Sequence, residues 1–214
     1  MPSRGESDTA HAAPAFVLGF HGCDRDVGEA VLAGRSPLTP SENPYDWLGS
    51  GCYFWENNLD RALSYATRLQ KHPQFAKTPI HEPFVIGAII DLGECLNLTD
   101  ENALKEVAAA YQALHDMCAA DSMPMPQNTP GHARDQDLLK RHLDCAVIEM
   151  LHALREDQNL ARYHTVRAPF WEGPRLYPHA GFCQETHVQI CVRDTACIKG
   201  YFRPLRPDGA PFQP

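Results

Sequence analysis

The fold of this chain is set by a stretch near its beginning, FVLGFHGCDRDVGEAVLAG, which covers residues 16–34. The apolar run FVLGF predicts a buried strand over residues 16–20, and DVGEAVLA predicts a short helix over residues 26–33. Between them lies the pair His21-Gly22. A glycine lets the backbone approach a neighbouring group closely, and a histidine offers two ring nitrogens and a charge state near neutrality. The pair therefore marks either a turn that holds a histidine or one wall of a ligand site.

Strand and helix patterns alternate along the rest of the chain. After the first pair, LGSGCYFWE predicts a strand, and Asn57 or Asn58 is placed to cap a helix that reads LDRALSYATRLQ. The run FVIGAIIDL predicts a strand buried on both faces. Thr99 or Asp100 caps a helix that reads ENALKEVAAAYQALHDMCAA; a second long helix reads DQDLLKRHLDCAVIEMLHALRED, and THVQICV is a late strand. This order predicts an α+β fold.

Length and composition predict one folded domain. The chain has 214 residues, of which 43% are hydrophobic and 21% charged, a balance typical of proteins with a globular core. We expect residues 1–14 to form a disordered leader and residues 15–205 to form a single domain. The two long helices then make a helical insertion over residues of about 100–157. Residues 206–214, rich in proline, are expected to form an extended tail.

Charge and cysteine usage narrow the classes of partner. No apolar run is long enough to cross a bilayer and no secretory signal is visible, which predicts a cytoplasmic protein without membrane binding. The formal net charge of −8 argues against non-specific nucleic-acid binding but allows a local basic groove around Arg61, Arg68, Lys71 and Lys77. Eight scattered cysteines without a C-x-x-C pair predict reduced thiols and no metal site.

Three separated segments carry motifs in a recognisable order. The first is His21-Gly22-Cys23, the second reads GSGCYF over residues 49–54, and the third is the apolar strand VIGAIIDLGECLNL. In this order the chain resembles the poly(ADP-ribose) polymerases and the diphtheria-toxin-like ADP-ribosyltransferases. Their strands end in His-Gly-Ser and read Gly-x-Gly-x-Tyr-Phe. The resemblance covers roughly half of the chain, and it implies an ADP-ribosyltransferase-like split β-sheet core with the two long helices as an inserted layer.

The resemblance implies that NAD is bound as a co-substrate. In the family the motif histidine hydrogen-bonds the adenosine ribose, the glycine holds the nicotinamide amide through its backbone, and the tyrosine stacks on the nicotinamide ring. These roles fall to His21, Gly22 and Tyr53, while Cys23 stands where the family has serine. The residue types suit the chemistry, because an aromatic face attracts a flat cationic ring and a glycine leaves its amide open.

The third catalytic position has two candidates. In the family a glutamate on a late strand binds the nicotinamide ribose and stabilises the cationic centre that forms as the glycosidic bond breaks. Glu185, at the start of ETHVQICV, supplies the carboxylate, whereas the match of QICVRDTACIKGYF to the family strand puts Gln189 at that position. Glu185, His187 and Gln189 share one face of the predicted strand, so all three are expected to face one cleft. A glutamine there implies mono-transfer or weak activity.

Two further elements are expected near the cofactor. Arg61 lies close to the place where many family members have a serine, and Ser64 and Tyr65 lie near a second stacking tyrosine. Arg61 is either a pyrophosphate ligand or a surface arginine. The segment FWEGPRLYPHAGF, which contains Glu172, is either a binding loop over the cleft, with the acceptor as its partner, or a structural loop.

These residues lead to one main prediction and two alternatives. The main prediction is an NAD-dependent mono-ADP-ribosyltransferase that releases nicotinamide and modifies an unidentified acceptor, which is a protein, a nucleic acid or a small molecule. Its compact format is that of a toxin or effector, for which an antitoxin or regulatory protein would be a partner. One alternative is a weak or inactive module that binds NAD, ADP-ribose or a protein. The other is an enzyme like tRNA 2′-phosphotransferase, which the charge of −8 disfavours.

Overall fold

The computed structural model describes residues 16–131, 137–205 and 209–212, and these ranges contain four helices and nine strands. The helices are α1 (Arg25–Leu32), α2 (Leu59–Lys71), α3 (Glu101–Ala120) and α4 (His142–Asp157). The strands are β1 (Phe16–Asp24), β2 (Cys52–Glu56), β3 (Pro83–Asp91), β4 (Cys95–Asn97), β5 (Asn128–Thr129), β6 (Lys140–Arg141), β7 (Thr165–Phe170), β8 (His187–Val192) and β9 (Ile198–Phe202). Two short 3₁₀ turns cover Pro73–Phe75 and Thr195–Cys197.

Seven of these strands form one sheet in the order β4-β7-β8-β2-β1-β3-β9, and β5 and β6 pair separately. Within the large sheet only β4 and β7 are parallel; the other neighbours are antiparallel. A largely antiparallel sheet with helices packed on it is an α+β fold, so the predicted fold class is confirmed at this level. The late strand predicted from THVQICV is β8, which lies between β7 and β2 in the middle of the sheet.

The first strand is longer than the sequence predicts. β1 runs through His21 and Gly22 to Asp24, where the prediction ended the strand at residue 20. The reason is β3, which pairs with β1 along its whole length, from Phe16↔Asp91 to Asp24↔Pro83. Asp24 is then the N-cap of α1, because its carboxylate accepts a hydrogen bond from the backbone N–H of Asp26. The histidine and glycine therefore lie inside a strand, not at a turn.

Gly22 has a packing role that the sequence does not reveal. A Cβ atom at this position would lie 2.1 Å from the carbonyl oxygen of Ala62, in the first turn of α2. The helix backbone therefore lies directly on the strand, and only glycine permits that distance. On the opposite face, Gly28 of α1 packs against Phe84 of β3, where a Cβ would come within 2.3 Å. The sheet is thus covered closely by α1 on one face and α2 on the other.

Helices α3 and α4 pack against each other, and the start of α4 differs from the prediction. α3 starts after Asp100, whose carboxylate accepts hydrogen bonds from the N–H groups of residues 102 and 103, as the sequence predicts. α4 begins at His142, whereas the helical pattern extended back to residue 135. The earlier start is prevented by the β5–β6 pair, in which Asn128 lies opposite Arg141. The side chain of Asn128 accepts hydrogen bonds from the N–H groups of Leu143 and Asp144, and so caps the helix from outside it.

The ends of the chain are only partly described. The expected leader lies outside the described residues. Part of the expected tail is described, and it folds back instead of extending: Leu205 pairs with Pro211, and the N–H of Phe212 donates to the carbonyl of Pro204 at 2.8 Å. All eight cysteines are free thiols. Among the described residues, no helix combines the length and the apolar character that crossing a bilayer requires.

Candidate functional site

A cleft of about 370 Å³ lies beside α2 at the centre of the sheet, and five of the predicted site residues line it. We call it the central cleft. The predicted residues that meet there come from β1, β2, α2 and β8: His21, Tyr53, Arg61, Tyr65 and Gln189. These residues are far apart in the sequence, since the first is residue 21 and the last is residue 189. The cleft therefore brings together the first two motif segments, through His21 and Tyr53, with Gln189 of the late strand.

The sheet opens next to this cleft. The N–H of Asn57 donates to the carbonyl of Leu18 at 2.9 Å, and pairing of β1 with β2 then ends at Phe20↔Trp55. In an antiparallel pair, alternate residues direct their N–H and C=O to the same neighbour. If this register continued, the next pair would be His21 and Phe54, and the next pair to direct its backbone groups between β1 and β2 would be Gly22 and Tyr53. The amide of Gly22 is thus directed at the gap between the strands.

His21 closes one side of the opening. Its ring Nδ1 lies 2.8 Å from the carbonyl oxygen of Tyr53, which in an unbroken sheet would accept from Gly22. Burial lowers the pKa of His21, although this hydrogen bond acts in the opposite direction. The imidazole is therefore neutral at pH 7. A carbonyl can only accept, so the proton must be on Nδ1, and Nε2 is left as a hydrogen-bond acceptor beside the cleft.

Tyr53 is held in place at both ends. Its hydroxyl donates to the carbonyl of Gly49 at 2.7 Å and accepts from the N–H of Leu48 at 2.9 Å. Burial raises the pKa of this phenol well above its usual range, so the hydroxyl stays protonated. With the hydroxyl tied to the loop before β2, the ring forms a fixed wall of the central cleft. A fixed ring suits the predicted stacking role, because little side-chain entropy remains to be lost on binding.

The glycines of the second motif allow two close approaches. Gly49 has φ +79°, and a Cβ there would lie 2.5 Å from the carboxylate of Glu149 in α4. That carboxylate accepts from the N–H of Ser50 at 2.7 Å and forms a two-point ion pair with Arg193. Gly51 lies against Val192, whose carbonyl oxygen would be 2.6 Å from a Cβ. These contacts therefore fix the loop before β2, to which the hydroxyl of Tyr53 is hydrogen-bonded.

Of the two candidates for the third catalytic position, only Gln189 lines the central cleft. It pairs with Trp55 in β2 and with Ala168 in β7, at the middle of the sheet. Glu185 precedes β8, and its side chain is 41% exposed. It nevertheless lies close by, because its carboxylate oxygen is 2.7 Å from Nη2 of Arg61. Of the residues predicted to share one strand face, Gln189 thus lies in the cleft and Glu185 lies at its edge.

Arg61 is a buried ion-pair residue and not a surface arginine. Its Nη2 lies 2.6 Å from Oε2 of Glu172 and 2.7 Å from Oε2 of Glu185, and only 8% of the residue is exposed. Glu172 is 4% exposed and lines the cleft from the loop after β7, which supports the interpretation of this loop as a wall of the site. Burial raises the pKa of Glu172, and the guanidinium of Arg61 opposes that effect.

Three predicted cofactor residues lie outside the cleft lining. Gly22 is covered by α2, as described above. Cys23 belongs to the core cluster around Phe84, and burial raises the pKa of its thiol to about 12, so it is no nucleophile. His187 is buried beside Phe170, and its Nδ1–H donates to the carbonyl of Glu185 at 2.6 Å. Burial lowers its pKa to about 4, so it is neutral. Ser64 also lies outside the cleft.

Among the side chains of the cleft that were not predicted as site residues, Trp55 and Arg68 bear on its chemistry. Trp55 lies two residues after Tyr53 on β2, and alternation along a strand puts both rings on one face. Its Nε1–H is buried and has no hydrogen-bond partner among the described residues, so a residue that lines the cleft carries an unused donor. Arg68 lies two turns after Arg61 on α2, and helical periodicity places it at the same cleft.

In comparisons with protein-family models, with curated proteins and with solved structures, the chain matched none at a significant level. Within the part of the chain that the structure describes, no three His, Cys, Asp or Glu side chains are grouped to hold a metal ion. The cleft instead combines aromatic walls, a neutral imidazole acceptor, an unused indole donor, two arginines and a buried carboxylate.

Proposed function

We propose that the chain binds NAD⁺ in the central cleft and transfers its ADP-ribose group to an acceptor, with release of nicotinamide. One observation carries the proposal: His21, Tyr53 and Gln189, from three distant segments, meet at one cleft beside the opening between β1 and β2. They are the residues that correspond to the three motif positions of the ADP-ribosyltransferases. An ADP-ribosyltransferase-like core, split at this opening, is part of the proposal.

In this proposal each residue has a chemical task. Nicotinamide enters the opening, where its carboxamide exchanges hydrogen bonds with the backbone of Gly22 and its ring stacks on Tyr53. His21 accepts a hydrogen bond from a ribose hydroxyl through Nε2. Gln189 binds the nicotinamide ribose, and Arg68 at the cleft wall faces the pyrophosphate. The buried Nε1–H of Trp55 gains an acceptor from the ligand, which removes an unsatisfied donor.

The test is release of labelled nicotinamide from NAD⁺ by the purified chain, with and without cell lysate. A matched pair of variants isolates the stacking ring: Tyr53→Leu removes it, and Tyr53→Phe keeps it while losing the hydroxyl. We expect release to fall about tenfold or more in Tyr53→Leu and to change less in Tyr53→Phe. His21→Gln tests the imidazole in the same assay. Its control is His115→Gln, on the exposed surface of α3. If NAD⁺ neither raises the melting temperature nor loses nicotinamide, the proposal is wrong.

Gln189 favours a second candidate function. An amide binds a ribose hydroxyl but stabilises a developing cation less than a carboxylate does. The chain would then be a module that binds NAD or ADP-ribose without breaking the glycosidic bond. NAD⁺-dependent stabilisation that is lost in Tyr53→Leu, without nicotinamide release in any lysate, would support the module over the enzyme.

A further inference from the structure

Glu172 is a carboxylate that two strands hold inside the cleft. The N–H of Glu185 donates to the carbonyl of Glu172 at 2.9 Å, which continues the β7–β8 ladder one step beyond Phe170↔His187. Alternate residues of a strand face the same side, so Glu172 is directed to the same side as Phe170 and Ala168, the partner of Gln189. Its position therefore depends on the sheet and not on a free loop.

The charges around Glu172 leave it with a partial negative charge that is not neutralised. Arg61 is shared between Glu172 and Glu185 through a single nitrogen, so one cation faces two carboxylates. His187 lies 3.9 Å from Glu172 but is neutral at pH 7. Arg68 adds a weaker attraction from α2. Glu185 is open to solvent on its other side, whereas Glu172 is enclosed at the cleft.

We propose that Glu172 is the general base of the transfer, and that it takes the proton of an acceptor hydroxyl. The proposal rests on the proposed function and names both a catalytic residue and the chemical class of the acceptor. Gln189 cannot perform this task, because a neutral amide does not accept a proton at pH 7. Glu185 is excluded as the general base because it lies at the edge of the cleft, where solvent competes with the acceptor as the source of a proton.

The reaction step balances as follows in atoms and electrons. The acceptor oxygen forms a bond to C1′ of the nicotinamide ribose while the bond from C1′ to the ring nitrogen breaks. The electron pair of that bond stays on nicotinamide, which leaves as a neutral molecule. The proton of the acceptor hydroxyl passes to the carboxylate of Glu172 and then to solvent. A hydroxyl needs this help, since it is a weak nucleophile until it loses its proton.

The first experiment compares Glu172→Gln with Glu185→Gln. Each variant removes one of the two carboxylates that Arg61 pairs with, but only Glu172→Gln changes a residue that lines the cleft. We expect nicotinamide release to fall about 100-fold or more in Glu172→Gln, within the usual range for loss of a general base, and by only a few fold in Glu185→Gln. Stabilisation by NAD⁺ should survive in both.

Two further readouts separate a base from a merely structural carboxylate. The rate of the unaltered chain should fall in acid as Glu172 takes up a proton, above the ordinary carboxyl value of 4.5, and this limb should vanish in Glu172→Gln. The groups that act on this titration are Arg61, Arg68, Glu185 and His187. In Glu172→Ala, added formate should restore part of the rate because it can enter the space and accept the proton.

The source of the hydroxyl is read from the product. With water as acceptor, free ADP-ribose accumulates without lysate; with an alcohol side chain or a nucleic-acid hydroxyl, label from the adenosine moiety appears on a macromolecule. Full activity in Glu172→Gln with an unchanged acid limb would overturn the assignment of the base. Linkage to a carboxylate or a thiol would overturn the acceptor class. Either result requires that the unaltered chain is active, so it differs from failure of the proposed function, in which no nicotinamide is released at all.

Discussion

The ring of His21 hydrogen-bonds the backbone carbonyl of Tyr53 at 2.8 Å, across the place where β1 and β2 separate. The contact joins the two motif residues directly and fixes the tautomer of the histidine. It also satisfies the carbonyl of Tyr53, which the opened sheet would otherwise leave unpaired. The opening is therefore a stable part of the fold, and the amide of Gly22 remains directed at the gap.

The first prediction concerns this hydrogen bond. Replacing His21 with Phe keeps most of the packing against Phe54 but leaves the carbonyl of Tyr53 without its donor. We expect a loss of about 1–3 kcal/mol in the free energy of unfolding, because a buried acceptor is left unsatisfied. Urea denaturation measures the change. The variant should also lose NAD⁺-dependent stabilisation; retention of it would show that Nε2 has no part in binding.

The second prediction concerns Gly22 and its contact with α2. In Gly22→Ala the new methyl group would lie 2.1 Å from the carbonyl oxygen of Ala62. This oxygen belongs to a helix backbone, so it cannot shift without distorting the helix. We expect destabilisation of about 3 kcal/mol or more, at the upper end for overpacking. Gly181→Ala is the matched control, because no atom lies within 4 Å of the added Cβ there. Equal melting temperatures for the two variants would contradict the packing role.

The third prediction is a loss of stability in acid that depends on His187. Its pKa is about 4 in the folded protein and 6.5 in the unfolded chain, so on acidification the unfolded state takes up the proton first. Stability is therefore lost as pH falls from 6.5 to about 4, with a slope of about 1.4 kcal/mol per pH unit from this group. His187→Gln should flatten the curve relative to His115→Gln, whose ring is 51% exposed. An unchanged slope would contradict the prediction.

The fourth prediction concerns the loop before β2. Glu149 accepts from the N–H of Ser50 and pairs with Arg193 through both of its oxygens. In Glu149→Gln we expect the loop to loosen and the free energy of unfolding to fall by about 1–3 kcal/mol. NAD⁺ affinity should fall as well, because Tyr53 is tied to this loop by its hydroxyl. Glu101→Gln, at the exposed start of α3, serves as the control.

The fifth prediction is a gain of activity. Gln189→Glu places a carboxylate where the resemblance implies one, beside Trp55 in the cleft. If the chain is an ADP-ribosyltransferase, this residue would stabilise the developing cation, and nicotinamide release should rise about tenfold or more. Gln189→Asn is the control for a change at the same position without charge. A rate that falls in Gln189→Glu as much as in Gln189→Asn would count against the predicted role of this position.

The sequence predicts local structure here better than it predicts the site. The Asn58 and Asp100 caps follow from residue type and from the apolar period beside them, so α2 and α3 start where expected. The start of α4 depends on Asn128, which is distant in sequence, and periodicity alone cannot reveal it. The cleft position of Glu172 depends on the β7–β8 register, which only the folded sheet defines. Motif order predicted that His21 and Tyr53 would meet, but not that a hydrogen bond would join them.

The hydrogen bond between Glu185 and Glu172 has a consequence for how this protein can change over evolutionary time. Beyond it, residues 174–184 form a hairpin whose backbone bonds are internal, and its tip carries the exposed side chains Leu176, Tyr177 and Phe182. Substitutions at the tip alter the outer surface while the carboxylate, anchored at the hairpin base, keeps its place. Under the proposed function, the surface at the hairpin tip and the chemistry of the cleft would be separate heritable traits, and the first could change while the second is kept.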